Sequence, residues 1–489
     1  MNQATQQKYE TVIGLEVHLQ LSTQTKIFCG CANVFGREAN AQTCPVCLGL
    51  PGTLPVLNRK ALEYAVKIAL ALNCKVNTFV KFDRKNYYYP DLPKGYQISQ
   101  FDKPIAQHGV LVMTTADGQI KKINIKRTHL EEDAGKLIHD DRTDSSLVDY
   151  NRTGTPLMEI VSDPDLRSPQ EAYDYLQTLK LTLQYLDVSD CDMEKGSLRC
   201  DANVSTREAG QETFGTKAEL KNMNSFKAVR TALEFEEKRQ REVLTSGGRI
   251  VQETRLWNEE KGVTIAMRSK EEAHDYRYFP EPDLVPFAID ESMIAEIRRT
   301  IPELPRQKLE RFFSEYGLCE YDARIIVGDQ RIAHFFEACA GLYRDTKKIC
   351  NWLNGPLLQE LNARKVGLSG VKVSPEDLIA IIEKVDENAL SNLAAKEALK
   401  QVLDTGKDTL SVIRDAGLAQ VSDTGELEGV VDEVIRENPK VVDQIRDGKE
   451  SAAGFLVGQA MRKTQGKANP KVIGEIVKRK LLDVTGGGH

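Results

Sequence analysis

The sequence predicts an α+β protein in which a mixed β-sheet domain precedes a helical part. Three observations predict this order. Strand patterns with a few helices between them fill roughly the first 290 residues, prolines cluster between residues 280 and 305, and helical periodicity takes over after Pro305. The chain has 489 residues, which is too long for one ordinary core, so we expect two to three domains.

Two strands carry the clearest alternation in the first part of the chain. Residues 15–22 place Leu and Val at odd positions and Glu, His, Gln and Ser at even positions, and residues 198–205 alternate in the same way. Because neighbouring strand residues point to opposite faces, each strand should have one apolar and one polar face. We therefore expect a sheet that is buried on one side only.

Helix signals divide the rest of the chain. The segment 168–171 (Ser-Pro-Gln-Glu) predicts a capping box with proline at the first helical position, and the segment 374–377 (Ser-Pro-Glu-Asp) opens a later helix. A further boundary is expected near Thr405 and Gly406. We predict a sheet domain over residues 1–295, a helical domain over 296–405 and a small helical domain over 406–489.

The composition excludes membrane-embedded and disordered classes of protein. Hydrophobic residues make up 41% of the chain and charged residues 28%, and no apolar run approaches the roughly 18 residues of a membrane span. Residues 1–8 are polar and lack the apolar stretch of a secretory signal, so a cytoplasmic location is expected. In that compartment we expect the ten cysteines to be metal ligands or buried thiols, not disulfides.

Four cysteines form a two-plus-two pattern near the N-terminus. Cys29 and Cys31 are followed, after twelve intervening residues, by Cys44 and Cys47. Two thiolate pairs this close in sequence can converge on one tetrahedral ion, and thiolates favour zinc over magnesium or calcium. A redox pair at Cys44 and Cys47 is the alternative, but it leaves the first two cysteines without a role. We predict a structural zinc loop, because four protein ligands leave no position for a substrate.

Carboxylates and one histidine lie on the predicted polar strand faces. Glu16 and His18 are two residues apart on one strand, Asp201 lies on the other, and the segment 131–133 (Glu-Glu-Asp) follows an alternating stretch. Glu159 interrupts an apolar run, where an unpaired carboxylate is costly to bury. A solvated strand face explains Glu16 and His18 at least as well when this pair is taken alone. Together the groups favour a hard cation such as Mg²⁺, which normally brings nucleotide phosphates with it.

The common nucleotide and nucleophile motifs are missing from the sequence. No Gly-x-x-x-x-Gly-Lys-Ser/Thr occurs, which excludes a P-loop, and there is no Gly-x-Ser-x-Gly elbow or kinase signature. If ATP is used, its site is therefore an unusual one. Residues 81–96 interleave cations with aromatic residues, a composition typical of phosphate and base binding, although core aromatics with snorkelling lysines give the same pattern.

The C-terminal part has two halves of opposite charge. Residues 415–450 carry ten acidic and four basic side chains, whereas residues 451–480 carry seven basic and one acidic side chain. The net charge of −6 for the whole chain hides this asymmetry. The basic half suits phosphate binding, and a solvated helix face is the alternative.

Long motifs along nearly the whole chain resemble the B subunits of tRNA-dependent amidotransferases. The motifs are ETVIGLEVH at 10–18, KFDRKNY at 81–87, HLEEDAG at 129–135, NRTGTPLMEI at 151–160, SLRCDAN at 197–203, DYRYFP at 275–280, AGFLVG at 453–458 and Asn-Pro at 469–470. The resemblance implies a cradle domain with the zinc loop, a helical domain and an α-helical, YqeY-like tail that contacts tRNA.

The resemblance also implies a reaction. A member of this family phosphorylates the side-chain carboxylate of misacylated Glu-tRNA(Gln), often also of Asp-tRNA(Asn), with ATP and Mg²⁺. Ammonia then displaces the phosphate to give Gln-tRNA(Gln) or Asn-tRNA(Asn). The chain is accordingly expected to be a ligase that forms carbon–nitrogen bonds with glutamine as amido donor.

Site residues follow from matching the family's positions to this sequence. The family's metal and catalytic positions fall on His18, Glu132 and Glu159. Glu16 and Asp201 are expected as their neighbours in the Mg²⁺ and ATP site.

Two further groups of residues are assigned to the ammonia route and to tRNA binding. Lys85 and Lys94 match polar positions along the family's ammonia route and are predicted to take part in catalysis. Four tail cations are predicted to contact tRNA phosphates, namely Arg462, Lys463, Lys467 and Lys471.

Partners are expected as well. The sequence carries no glutaminase signature, so the resemblance implies a glutaminase A subunit that supplies ammonia and a small C subunit that completes a heterotrimer. Two rival functions stay open at this point. One is a non-catalytic, tRNA-binding scaffold, and the other is a ligase that acts on a free amino acid.

Overall fold

The structure is a computed structural model that describes residues 8–140, 145–267, 276–420, 424–446, 450–464 and 468–486. The chain forms two compact units, Met1–Pro305 and Arg306–His489, and each is described by itself. Strands dominate the first unit and helices the second. The predicted α+β class is confirmed.

The first unit contains sixteen strands within the described residues. They are β1 (Tyr9–Gln20), β2 (Lys75–Val76), β3 (Phe79–Val80), β4 (Asp83–Asn86), β5 (Tyr96–Ser99), β6 (Ala106–Thr114), β7 (Ile120–Glu132), β8 (Lys136–Asp140), β9 (Ser145–Asp149), β10 (Pro156–Ser162), β11 (Leu198–Glu208), β12 (Ala218–Lys221), β13 (Glu253–Asn258), β14 (Val263–Ala266), β15 (Phe279–Pro280) and β16 (Phe287–Ala288).

Helices interrupt this series of strands. They are α1 (Arg59–Ala71), α2 (Pro169–Tyr185), α3 (Phe226–Thr245) and α4 (Glu291–Arg299). The predicted capping box of α2 is half formed. Ser168 accepts a hydrogen bond from the backbone N–H of Glu171 at 3.1 Å, but the Glu171 carboxylate accepts from the N–H of Arg167 instead of reaching back to Ser168.

Nine strands form one large sheet in the order β14-β13-β12-β11-β1-β10-β7-β6-β2. Neighbouring strands are antiparallel except β12 and β13, which are parallel, so the sheet is mixed as predicted. Strand β1 lies between β11 and β10 at the centre of the sheet. Smaller sheets pair β15-β4-β5, β16-β3 and β8-β9.

The two faces of the large sheet differ in polarity. Ile13, Leu15 and Val17 of β1 are fully buried in a core that also includes Leu62 of α1 and Leu179 of α2. The alternating polar residues of β1 point to the opposite face. This arrangement follows the two-sided pattern of the sequence.

A bulge reverses the alternation of β7. Ile125 of β7 pairs with Ser162 of β10, but Arg127 pairs with the adjacent Val161, so one residue of β7 is extra. A one-residue insertion moves every following side chain to the other face of the strand. The even-numbered side chains at 128–132 therefore take the inward positions that odd-numbered residues hold before the bulge.

The second unit is helical throughout its described residues. Its elements are α5 (Pro305–Tyr316), α6 (Glu320–Val327), α7 (Gln330–Leu342), α8 (Thr346–Trp352), a π-helical turn (Leu353–Leu357), α9 (Leu358–Arg364), a 3₁₀ turn (Leu368–Gly370), α10 (Pro375–Asp386), α11 (Asn392–Thr405), α12 (Thr409–Asp415), α13 (Thr424–Glu437), α14 (Pro439–Arg446), a 3₁₀ turn (Glu450–Ala452), α15 (Ala453–Lys463) and α16 (Pro470–Gly486).

Packing within the second unit agrees with the sequence signals. Ser374 and Asp377 form a complete capping box at the start of α10. Helices α13 to α16 enclose a core that includes Val431, Leu456 and Ile473. None of the helices in the described ranges has the length and apolar character needed to cross a membrane. The domain boundaries at 295 and 405 stay predictions.

Candidate functional site

One row of polar side chains crosses the open face of the large sheet. Strand pairing puts His18 of β1 opposite Glu159 of β10 on one side and opposite Arg199 of β11 on the other. Glu159 in turn pairs with His129 of β7. Residues in register on neighbouring strands project from the same face, so these four side chains lie side by side.

Three side chains of the ligand type converge at this row. His18, Glu131 and Glu159 each offer one donor atom, and these atoms lie within 4.8 Å of one another. The Nε2 atom of His18 is 4.0 Å from Glu131 Oε1. Glu131 also accepts a hydrogen bond from Ser99 Oγ at 2.8 Å, which fixes its carboxylate. We call these three residues the carboxylate cluster.

His129 contacts both carboxylates of the cluster. Its Nε2 atom lies 2.6 Å from Glu159 Oε2 and 3.5 Å from Glu131 Oε2. Burial by itself lowers the pKa of His129, but Glu159 and Glu131 outweigh it and raise the pKa to about 9. Burial raises the pKa of Glu131 and of Glu159. The positive charges of His129 and Lys85 more than compensate for burial, so the pKa of each carboxyl is lowered. The carboxylates therefore stay ionised at neutral pH, as metal ligands must be.

Lys85 of β4 adds a buried cation beside the carboxylate cluster. Its ammonium lies 4.8 Å from the centroid of the Tyr276 ring and 5.6 Å from that of Tyr87. Burial lowers the pKa of Lys85, but the carboxylate of Glu131 together with the nearby Tyr278, Tyr87 and Tyr276 outweighs burial, so the pKa is raised. A positive charge thus lies beside the two carboxylates of the cluster.

Glu132 lies apart from the carboxylate cluster, although the resemblance assigned it to the metal. Its Oε1 accepts hydrogen bonds from the Lys94 ammonium and from the backbone N–H of Ile98. The bulge in β7 is the reason, because it turns Glu132 inward and gives the polar face to Glu131. The carboxylate that joins His18 is that of Glu131.

Glu16 and Asp201 occupy the next row of the same face, where β1 and β11 pair. Glu16 Oε1 accepts a hydrogen bond from Asn203 Nδ2 at 2.9 Å. Asp201 Oδ2 accepts one from Lys221 Nζ at 2.6 Å. Both carboxylates therefore lie in the row next to His18, and they accept hydrogen bonds from side chains of β11 and β12.

The four thiols of the predicted zinc loop also converge. The sulfur atoms of Cys29, Cys31, Cys44 and Cys47 lie within 4.8 Å of one another, and all four residues are free thiols. A hydrogen bond with Cys29, helped by the nearby Lys26 ammonium, lowers the pKa of Cys47 to about 5 against the effect of burial. Four converging sulfur donors fit a tetrahedral zinc ion.

Several functional side chains were not assigned from the sequence. Glu131 and His129 were missed because nothing in the sequence marks the bulge that turns them to the polar face. Asp133 is buried and lies 2.9 Å from an Arg199 guanidinium nitrogen, and it accepts a hydrogen bond from Gln20 at 2.7 Å. For Arg199, the only signal in the sequence was the alternation of residues 198–205, which places its side chain on the polar face of the strand.

The tail cations predicted to contact tRNA lie on two helices. Arg462 and Lys463 end α15, Lys471 lies in the first turn of α16, and Lys467 lies outside the described residues. The Lys463 ammonium pairs with two glutamates of α13 at 2.7 and 2.9 Å. The basic half thus partly neutralises the acidic half, while Arg462 and Lys471 stay exposed.

Comparison with known proteins decides the family. A family model described as the GatB/GatE catalytic domain matches residues 11–295, and a second one, described as the GatB domain, matches residues 334–481. The chain belongs to the GatB family. It is accordingly an amidotransferase subunit of the ligase type, as the sequence predicts. The carboxylate cluster and the four thiols both fall within the GatB/GatE catalytic region.

Relatives in this family cover the chain almost completely. The chain is 54% identical over 477 residues to the B subunit of the aspartyl/glutamyl-tRNA(Asn/Gln) amidotransferase from Carboxydothermus hydrogenoformans, a match that covers 97% of this chain and 99% of that protein. It is 55% identical to the corresponding protein of Caldanaerobacter subterraneus and 52% identical to that of Myxococcus xanthus, with the same coverage. The predicted membership in this family is confirmed.

Proposed function

We propose that the chain catalyses the ATP-dependent transamidation of misacylated Glu-tRNA(Gln), Asp-tRNA(Asn) or both. The side-chain carboxylate would be phosphorylated and then amidated by ammonia from a glutaminase partner. The names of the relatives support this substrate class. The observation that carries the proposal is the convergence of His18, Glu131 and Glu159 on the polar face of the sheet. Transfer of a phosphoryl group to a carboxylate needs neutralisation of charge more than a general base.

The carboxylate cluster fits Mg²⁺. Two ionised carboxylates and an imidazole leave about half of the positions of an octahedral ion to water and phosphate oxygens, which Mg²⁺ prefers. When bound, the ion would neutralise charge on the transferring phosphoryl group. Lys85 would face the same group, and Arg199, held in place by Asp133, would orient the substrate carboxylate.

A cavity next to the cluster suits the nucleotide. Its volume is about 250 Å³, and Gly14 and Glu16 of β1 line it together with Lys126 and Lys217. Phe214 also lines the cavity and is 62% exposed, so it offers a face on which a base could stack. Lysines neutralise phosphates, and glycine lets a ligand approach the backbone closely. The γ-phosphate of ATP would point along β1 toward the cluster.

The Lys94–Glu132 pair fits the ammonia route. Both side chains are more than nine-tenths buried and line a cavity of about 200 Å³ together with Cys47 and Gly49. An acyl phosphate hydrolyses readily, so ammonia has to arrive through a shielded path. Glu132 adjoins Glu131 in β7, but the two side chains point to opposite faces of the strand, so ammonia would have to pass from this cavity to the polar face of the sheet.

Further features belong to the same proposal. Zinc would occupy the thiol loop as a structural ion, and Arg462 and Lys471 would contact tRNA phosphates. The chain would act in the cytoplasm within a heterotrimer that includes the glutaminase A subunit and the small C subunit. The cradle would extend to residue 295, the helical domain to 405 and the YqeY-like tail to 489.

The test is a transamidation assay with the assembled complex. ATP, Mg²⁺ and each misacylated tRNA in turn are supplied with glutamine or with ammonium chloride, and the product amino acid is measured. Replacing Glu159 by Gln should lower tRNA-dependent ATP hydrolysis and product formation by about 10²–10³-fold, since it removes a ligand of the metal. Binding of tRNA should be retained.

A matched control is Glu260→Gln, which changes an exposed carboxylate on the turn between β13 and β14. This variant should keep full activity. If Glu159→Gln still forms product from ammonium chloride at the parent rate, the chain is a scaffold and the proposal fails. If ATP hydrolysis needs only a free amino acid, the substrate class is wrong.

A further inference from the structure

A lysine beside the four thiols is completely buried. The side chain of Lys26 has an exposed fraction of 0%, whereas lysine is almost never fully buried unless an opposite charge accompanies it. Lys308, which is also buried, pairs with the Glu337 carboxylate at 2.7 Å. In the part of the chain that the structure describes, Lys26 forms no such pair with a carboxylate. Its positive charge therefore needs another source of compensation.

Backbone hydrogen bonds fix the position of Lys26 beside the thiols. The N–H of Lys26 donates to the carbonyl oxygen of Cys31 at 3.0 Å, and the N–H of Ile27 donates to that of Gly154 at 2.8 Å. Gly154 has a φ of +80°, and a Cβ there would lie 3.5 Å from Cys47 Cβ and 3.6 Å from Lys26 Cδ. The apolar stem of Lys26 is thus enclosed between the loop and this glycine.

The Lys26 ammonium has three acceptors around it, one for each of its N–H groups. Its Nζ atom lies 2.7 Å from the carbonyl oxygen of Gln42, 3.5 Å from that of Tyr150 and 3.8 Å from Cys47 Sγ. The two carbonyl groups are neutral. Cys47 is therefore the acceptor among the three that can carry a negative charge.

The thiol loop supplies more negative charge than a zinc ion removes. Four thiolates around Zn²⁺ leave two negative charges in excess. Cys47 is 4% exposed, so water screens little of the charge on its sulfur atom. Where water is excluded, a nearby ammonium interacts with such a charge more strongly than it would at the surface. The buried cation and the excess charge of an occupied site therefore compensate each other.

We infer that Lys26 is the counter-charge of the zinc site: its buried ammonium neutralises part of the excess negative charge of the four thiolates and so raises the affinity of the loop for zinc. The inference rests on the proposal that zinc occupies this loop. An ammonium has no lone pair, so Lys26 is not a ligand of the ion. It is a positioning residue that acts through Cys47, as hydrogen-bond partners of metal ligands do.

The same ammonium joins the ion to two separate segments of the chain. Gln42 lies within the thiol loop, whereas Tyr150 follows β9. Both carbonyl oxygens lie within 3.5 Å of the ammonium that faces Cys47. Binding of zinc and the packing of these two segments should therefore stabilise each other, because the ligand set is complete only in the folded chain.

The first experiment measures the zinc affinity of the purified full chain by competition with a chelator. Lys26→Met keeps an apolar stem of the same length but removes the charge, and it should weaken the affinity about 10–100-fold. Lys122→Met, at an exposed lysine of β7, should keep the parent value. At one zinc concentration, zinc should also raise the melting temperature of Lys26→Met by less than that of the parent chain, because a weaker ligand stabilises the folded state less.

The second experiment separates the charge of Lys26 from its packing. Cys31→His replaces one thiolate by a neutral imidazole, so the occupied site has one negative charge in excess instead of two. The Coulomb interaction with the ammonium is then about half as large, and Lys26→Met should weaken zinc binding by only about 3–10-fold in this background. A lysine that merely fills space would give the same factor in both backgrounds, because the two changes would then be additive.

Three results overturn the inference. The first is an unchanged zinc affinity for Lys26→Met, and the second is an equal factor for this change in the parent and Cys31→His backgrounds. The third concerns Lys26→Gln, which keeps an N–H donor without the charge and should weaken zinc binding as Lys26→Met does. If Lys26→Gln binds zinc with the parent affinity, hydrogen bonding and not charge explains the lysine. Absence of zinc from the purified parent chain would refute the zinc proposal itself, so the two failures are distinguishable.

Discussion

The thiol loop and the carboxylate cluster are both sets of converging ligands, but they differ in how the chain builds them. The loop gathers four sulfur donors from residues 29–47, one short stretch of sequence. The cluster gathers three donors from three strands, β1, β7 and β10, spread over residues 18–159. The loop offers a complete tetrahedral set of four donors, whereas the cluster offers three.

The two sites differ in the number of coordination positions that they leave free. A closed set of four thiolates leaves no coordination position for a substrate, so an ion bound there would only hold the loop in shape. A set of three donors leaves positions for phosphate oxygens. On the proposed function, the local set would serve stability and the set built across the sheet would serve catalysis.

The largest expected effect separates two adjacent residues of β7. Glu131→Gln should lower tRNA-dependent ATP hydrolysis by about 10²–10³-fold, because it removes a donor from the carboxylate cluster. Glu132→Gln should keep ATP hydrolysis but reduce the free energy of unfolding by about 3 kcal/mol, because it leaves the buried Lys94 ammonium without its carboxylate. Hydrolysis assays and urea denaturation of both variants check this. Equal losses of hydrolysis would contradict the distinction.

A smaller effect is expected from removing zinc. Cys31→Ser should abolish bound zinc, measured by metal analysis of the purified chain, and should lower the melting temperature by about 5 °C. The Mg²⁺ concentration that gives half-maximal ATP hydrolysis should not move, because the carboxylate cluster is built by other strands. Glu131→Gln should raise that concentration while leaving the zinc content intact. A shift in the Mg²⁺ requirement of Cys31→Ser would show that the two sites are coupled.

The smallest expected effect distinguishes two adjacent cations of the tail. Arg462 is exposed, so Arg462→Ala should lower the slope of log Kd against log salt for tRNA binding by about 1. Lys463 pairs with Glu433 and Glu437, so Lys463→Ala should leave that slope unchanged and cost at most about 1 kcal/mol of stability. Titrations at several salt concentrations check both. Equal slopes for the two variants would refute the assignment.

Much of the site could be predicted from the sequence. The four-cysteine spacing is local, so the thiol loop follows from it directly. The alternation around Glu16 and His18 correctly gives a strand with a polar face, and the family resemblance points to His18 and Glu159. Glu132 was expected beside them and does not lie there, because the bulge in β7 reverses the alternation just before it.

Pairing across the sheet could not be predicted. His129 and Arg199 lie far from His18 in sequence, and only the register of β7, β10, β1 and β11 puts them in one row. The charge asymmetry of the tail suggested a free basic surface. The structure pairs part of that surface with α13, so Lys463 is committed within the chain.

The sequence by itself determined the α+β class, the thiol loop, the helical second part and the family. These properties depend on local spacing, periodicity and long continuous motifs. Only the tertiary structure decided that Glu131 joins His18 and Glu159, and that the neighbouring Glu132 pairs with Lys94 instead. The physical reason is that strand register and a one-residue bulge set which side chains share a face, and both arise from contacts between strands distant in the chain.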